Sequence, residues 1–214
     1  MTDKSELVEN ACSALARIDQ GTLRECSVAL SLRVPLSDSM VTACSAGNLE
    51  TLTFDQAREG KWASHAALYR LRPDCGAIVT GRLPWTARLA GLDEEMPAVF
   101  DEQARQLGLL VRRIALRGGE FDSTSVRAIR AGGNAFLQDG DAVCLGFHHE
   151  RAVFNAELLE KCAQAYVLAR RSGGTIRRVP WYVRYIAARR LKRDRERAAA
   201  ALRRGETPTG VGAY

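Results

Sequence analysis

The sequence predicts one α/β domain, with helices layered on a largely antiparallel central sheet and a basic helix at the C-terminal end. Three observations carry this. Apolar residues at helical spacing alternate with short apolar runs of strand length. Several neighbouring runs are joined by turn dipeptides instead of helices, which argues against a doubly wound parallel sheet. The composition, 46% hydrophobic and 26% charged over 214 residues, suits a chain that closes one sizeable core. The expected boundaries are a domain over 1–175, a basic amphipathic tail over 176–204 and a flexible end over 205–214.

The elements follow in order. Leu7, Ala11, Ala14, Leu15 and Ile18 share one helical stripe, so residues 4–18 form a helix ending near Gly21. "CSVALSLRVP" (26–35) alternates and stops at Pro35, "MVTACS" pairs back on it, and Gly47-Asn48 turns the chain into "LETLTF". "KWASHAALYRL" (61–71) is a helix ended by Pro73, and residues 76–80 are a buried strand. Pro84 opens the next helix at a position where its missing N–H costs nothing. A helix near 97–107, a strand over "LLVRRIAL" and a helix from Ser123 to Ala131 come next. "NAFLQDGDAVCLGF" reads as a hairpin about Asp139-Gly140. A long helix over 150–171 buries Leu159, Cys162, Ala163, Tyr166 and Val167, and the last helix starts at Pro180.

The net charge of +6 is uneven. Eleven Arg or Lys against two acids lie between Arg177 and Arg204, which leaves the rest of the chain acidic. Only Lys4, Lys61, Lys161 and Lys192 of the 31 basic residues are lysine. Such an arginine bias in an alanine-rich chain reflects base composition more than phosphate contacts, so nucleic acid and membrane are not expected as partners. The acidic N-terminus is not a secretory signal and no apolar run has transmembrane length, so a cytoplasmic protein is expected. Six scattered cysteines without a C-x-x-C pair make both a disulfide framework and a cysteine zinc site unexpected.

Three stretches stand out in order: "LSLRVP" (30–35) in a first hairpin, "HAALYRLRPDCGAIV" (65–79) as a helix, an Arg-Pro-Asp turn and a strand, and "FLQDGDAVCLG" (136–146) as a late hairpin. With them, residues 7–170 resemble the class II aldolase/adducin superfamily, and the stretch 65–79 is the anchor of the resemblance. The resemblance implies an α/β/α sandwich, oligomeric assembly and, in intact members, zinc held by three histidines with a glutamate moving a proton. This sequence departs from that pattern. Thr80 and Arg82 occupy the His-x-His positions, Lys61 the glutamate position, and Gly140-Asp141 or Asp139-Gly140 the late His-Gly positions. The phosphate-cradling stretches fall on Val28-Ala29, Cys44-Ser45 and Glu59-Gly60. Arginine and threonine do not replace imidazoles around zinc, so neither a metal nor another cofactor is expected.

Lys61 and Arg82 are then the candidate catalytic pair, with Thr80, Asp139 and Asp141 as candidate substrate contacts. Two cations in one cavity suit a small anionic ligand, and a desolvated Lys61 could act as a base or form a Schiff base. The leading expectation is a degenerate, non-zinc structural or regulatory subunit. It would form a homo-oligomer, or a hetero-oligomer with an intact aldolase-type homologue. The alternatives are a metal-independent lyase or isomerase of a small anionic carbonyl compound, and tail-mediated binding to nucleic acid or anionic membrane. His65 is expected to pack or hydrogen-bond. His148 and His149, read as strand neighbours, point apart and do not share an ion. Cys144 is expected in the core. Trp181, Tyr182, Tyr185 and Ile186 are expected to meet a neighbouring subunit, with the tail cations solvated.

Overall fold

The computed structural model describes residues 4–44 and 48–208. The sequence-predicted features at Ser45, at Gly47 and over 209–214 lie outside the described residues. The chain runs α1 (Lys4–Gln20), β1 (Val28–Arg33), β2 (Ser39–Cys44), β3 (Leu49–Thr53), a 3-10 turn (Gly60–Trp62), α2 (Ala63–Leu71) and β4 (Ala77–Gly81). It continues through α3 (Pro84–Ala90), β5 (Met96–Pro97), α4 (Asp101–Gln106), β6 (Leu110–Arg113), β7 (Leu116–Arg117), β8 (Glu120–Phe121) and α5 (Ser123–Arg130). β9 (Ala135–Gln138), β10 (Asp141–Gly146), α6 (His149–Arg171) and α7 (Trp181–Arg203) complete it. Eight strands form one sheet in the order β3-β2-β1-β4-β10-β9-β6-β5. Every pairing is antiparallel except β6 with β9.

Both faces of the sheet are covered, which is why the central strands read as nearly continuous apolar runs. Alternation along β4 and β10 divides the core. Ala77, Val79, Ala142 and Cys144 pack with α1 and α6, whereas Ile78, Val143 and Leu145 pack with α2 and α5. Asp139 and Gly140 both adopt positive φ (52° and 88°), and Gln138 pairs with Asp141. This is the two-residue hairpin whose twist matches the flanking strands, and Asp-Gly is a favoured dipeptide for it.

The Arg-Pro-Asp turn ties the layers together. Arg72 is 1% exposed and grips Asp74 through two bonds of 2.9 and 2.7 Å. It also donates to Asn134 Oδ1 at 2.8 Å and to the Gly133 carbonyl. Burial raises the Asp74 carboxyl, but the bonds and charge of Arg72 and Arg195 outweigh it and hold the group at about 2. A buried ion is tolerable only when its bonding capacity is filled in this way.

The structure differs from the sequence reading in three places. β5 and the β7–β8 hairpin are each two residues per strand, too short for periodicity to signal. His148 is the N-cap of α6 and His149 its first residue, so the pair stands at a helix start and not on a strand. Their rings meet edge to face at 6.1 Å between centroids. The tail cations are not all solvated. α7 lies along α4, buries Ala187 and Leu191, and places Asp194 against Arg105 and Arg195 against Asp74 at 3.0 Å.

Candidate functional site

β1, β4 and β10 are neighbours in the sheet, so their ends converge on one cleft of about 420 Å³. β4 ends at Thr80 and Gly81, Arg82 follows, and the β9–β10 hairpin brings Asp139 and Asp141 alongside. The 3-10 turn before α2 supplies Lys61 to the same lining. All five sequence-predicted site residues, Lys61, Thr80, Arg82, Asp139 and Asp141, line this one cleft. Sequence reasoning missed Gln138, Ser27 and Ser64 in the same lining.

The two cations are held differently. The Lys61 ammonium stands over the Trp62 ring, 5.1 Å from its centroid. Arg82 is 67% exposed and its guanidinium lies 3.5 Å from Asp141 Oδ1. That oxygen has no hydrogen-bond donor, and neither has Gln138 Oε1, although both are shielded from solvent. Such atoms in a folded protein call for a partner.

Beneath the cleft runs a hydrogen-bonded chain whose proton directions can be counted. Tyr69 donates its hydroxyl to the Ser31 carbonyl at 2.9 Å. Its oxygen must therefore accept from Ser31 Oγ, also at 2.9 Å. Ser31 Oγ has spent its proton, so His65 Nδ1 donates to it at 2.7 Å. The remaining ring nitrogen, Nε2, carries the lone pair and accepts from Thr80 Oγ1 at 2.9 Å. The Thr80 hydroxyl proton is thus turned inward and its oxygen lone pairs face the cleft. Burial, and then the charge of Lys61, push His65 down to about 3, which keeps the ring neutral for this role. The expected packing and hydrogen-bonding role of His65 is what the structure contains. Its link to Thr80 was not foreseen, because fifteen residues separate them and only the packing of α2 on β4 joins them.

The zinc that the family resemblance implies does not fit these residues. The cleft offers hydroxyls, one amide and two aspartates beside two cations, and both nitrogens of His65 are committed. Among the described residues no group of three His, Cys, Asp or Glu is arranged to hold a metal ion. Cys144 is fully buried and burial pushes its thiol up, so it is an inert core residue.

An eight-stranded, largely antiparallel sheet between helical layers, with a cleft at the ends of β4 and β10, defines an aldolase-type α/β/α protein. The family profile described as "Class II Aldolase and Adducin N-terminal domain" matches residues 19–167, and the chain belongs to that family. Among solved structures it is similar to an L-fuculose 1-phosphate aldolase, with 20% identity and a TM-score of 0.65, covering 90% of this chain and 98% of that one. It is equally similar to YgbL, a putative aldolase/epimerase/decarboxylase from Klebsiella pneumoniae, with 20% identity and a TM-score of 0.66 over 87% and 99% of the two chains. An aldolase II superfamily protein from Pseudomonas syringae is 16% identical, with a TM-score of 0.62 over 96% of each chain. A comparison with curated proteins finds no match.

Proposed function

We propose that this chain is a non-zinc member of its family that binds a small anionic compound in the Lys61–Arg82 cleft. It serves as a structural or regulatory subunit of a homo-oligomer, or of a hetero-oligomer with an intact homologue. The observation that carries the reading is the charge of the cleft. Lys61 and Arg82 line the cavity where zinc chemistry would need imidazoles and a carboxylate. Asp139 and Asp141 make the lining formally neutral and Asp141 faces Arg82, but Lys61 forms no ion pair among the described residues and is the cation left to attract an anion. Thr80, with its lone pairs outward, accepts a hydrogen bond from a hydroxyl of that ligand, while the anionic group itself is met by Lys61. The exposed aromatic face of α7 supports assembly.

The test combines elemental analysis with calorimetric titration of small carboxylates and phosphate esters. Zinc well below one per chain, together with binding that weakens on the order of tenfold or more in Lys61→Ala/Arg82→Ala, is the expected result. Stoichiometric zinc overturns the reading. A second reading, a metal-independent lyase or isomerase of an anionic carbonyl compound, is favoured by one feature: Lys61 and Thr80 share the open cleft. Borohydride trapping of pyruvate or dihydroxyacetone phosphate on Lys61 would support it. No trapped adduct in wild type counts against the Schiff-base form of that reading.

A further inference from the structure

A second cleft, of about 480 Å³, lies between α7 and the sheet end formed by β6 and β9, and shares no lining residue with the first. Its charged lining is Arg112, Arg130, Lys192 and Arg195, and none of its lining residues is acidic. Counter-charge near it is scarce. Arg195 donates to Asp74 at 3.0 Å, but Asp74 is already gripped by the buried Arg72, so one carboxylate serves two guanidinia. Lys192 meets only Glu196, at 3.9 Å on the exposed face of the helix. Arg112 and Arg130 form no ion pair among the described residues.

The cleft is also shaped around one of these cations. Arg195 reaches Asp74 by crossing the bare backbone of Gly132, where a Cβ would lie 1.8 Å from its guanidinium. Gly132 has φ of 101°, which glycine adopts without strain. The apolar part of the lining includes Leu109 and Leu191. A concave, partly apolar cavity of several hundred cubic ångströms with converging guanidinia is the shape of a small-molecule site, whereas a polynucleotide requires an extended basic groove.

We propose that this cleft binds a small phosphorylated anion, its phosphate held by Arg112 and Arg130 with Lys192 and Arg195 adding to the field. Guanidinium forks suit phosphate oxygens, and the shortage of carboxylates leaves them available. Because α7 forms one wall, the bound anion fastens this helix to the body of the domain.

The test is calorimetric titration of the full chain with inorganic pyrophosphate and with AMP at low ionic strength. We compare Lys61→Ala/Arg82→Ala, which removes the anion site proposed for the first cleft, with the quadruple variant that adds Arg112→Ala/Arg130→Ala, using circular dichroism melts to show that each is folded. Saturable binding that persists in Lys61→Ala/Arg82→Ala and falls about tenfold or more in the quadruple variant is expected. Absence of binding to both probes in Lys61→Ala/Arg82→Ala at millimolar concentration overturns the proposal. So does binding that the added Arg112→Ala/Arg130→Ala leaves intact. Duplex DNA or phosphatidylserine vesicles displacing the probes through the same two arginines would overturn the small-molecule assignment in favour of a polyanionic surface.

Discussion

His65 is a neutral imidazole placed where a charged one would be costly, and this makes its contribution visible in pH. In the unfolded chain the ring takes up a proton near its ordinary value of 6.5, while in the folded chain burial and Lys61 delay that to about 3. The unfolded state therefore binds more protons throughout that window, so stability is full above pH 6.5 and declines as pH falls towards 3. One proton corresponds to about 1.4 kcal/mol per pH unit. We expect His65→Gln to flatten the decline of urea-unfolding stability between pH 6 and 4.5 by roughly that slope. Parallel profiles for the two proteins would show that the ring is not held neutral. At this scale the sequence was legible where a residue's neighbours along the chain decide its role. Thr80, Arg82 and the Asp139-Gly140 hairpin could be read from a strand end and a turn dipeptide. The Thr80–His65–Ser31–Tyr69 chain could not, since its members sit on three elements whose packing no local pattern records.

Among the elements, α7 shows how far periodicity reaches and where it stops. Its existence and its start at Pro180 were evident, as were its aromatic and basic faces. Which side faces the domain was not, because arginines occupy both sides of the helix. The structure answers through small residues: Ala187 packs on Ala98 and Ala104, and Leu191 and Ala198 pack on Phe147. Short strands were lost for the converse reason, since two residues such as Met96–Pro97 carry no period at all. Leu191 is 4% exposed and is the largest apolar anchor that α7 places against Phe147. Truncating it leaves a cavity at a contact otherwise made by alanine, so Leu191→Ala should cost about 2–5 kcal/mol. Amide hydrogen exchange over 181–203 should accelerate more than exchange in β4 and β10, whose cores lie elsewhere. Uniform acceleration across the chain would instead mean that α7 and the sheet open as one unit.

For the whole molecule the decisive contrast is between the two ends of α7. Its C-terminal half buries Asp194, Ala198, Ala199 and Leu202 against the domain. Its N-terminal half leaves Trp181 at 72%, Tyr182 at 55%, Tyr185 at 56% and Ile186 at 49% exposed. Single exposed apolar residues are ordinary, but three aromatics and an isoleucine within two turns of one helix form a contiguous patch of the kind that marks an interface. The charge distribution favours a second chain as the cover, because the basic helix would meet the acidic remainder of a neighbouring copy or homologue. No described helix is long and apolar enough to cross a membrane. Introducing a carboxylate into an aromatic cluster that an interface buries adds a charge that must be desolvated, while inside the chain it removes ring and hydrogen-bond contacts only within α7. Trp181→Glu/Tyr185→Glu should therefore lower the mass measured by light scattering to that of a smaller assembly, with dissociation strengthened at least about tenfold. The melting temperature of the dissociated chain should stay within a few degrees of a concentration-matched wild-type monomer, since among the described residues the hydrogen bond and ring contacts of these two side chains stay within α7, Tyr185 with Arg189 and Trp181 with Tyr182. An unchanged mass across micromolar concentrations would remove α7 from the interface and leave its aromatic face without the role assigned to it.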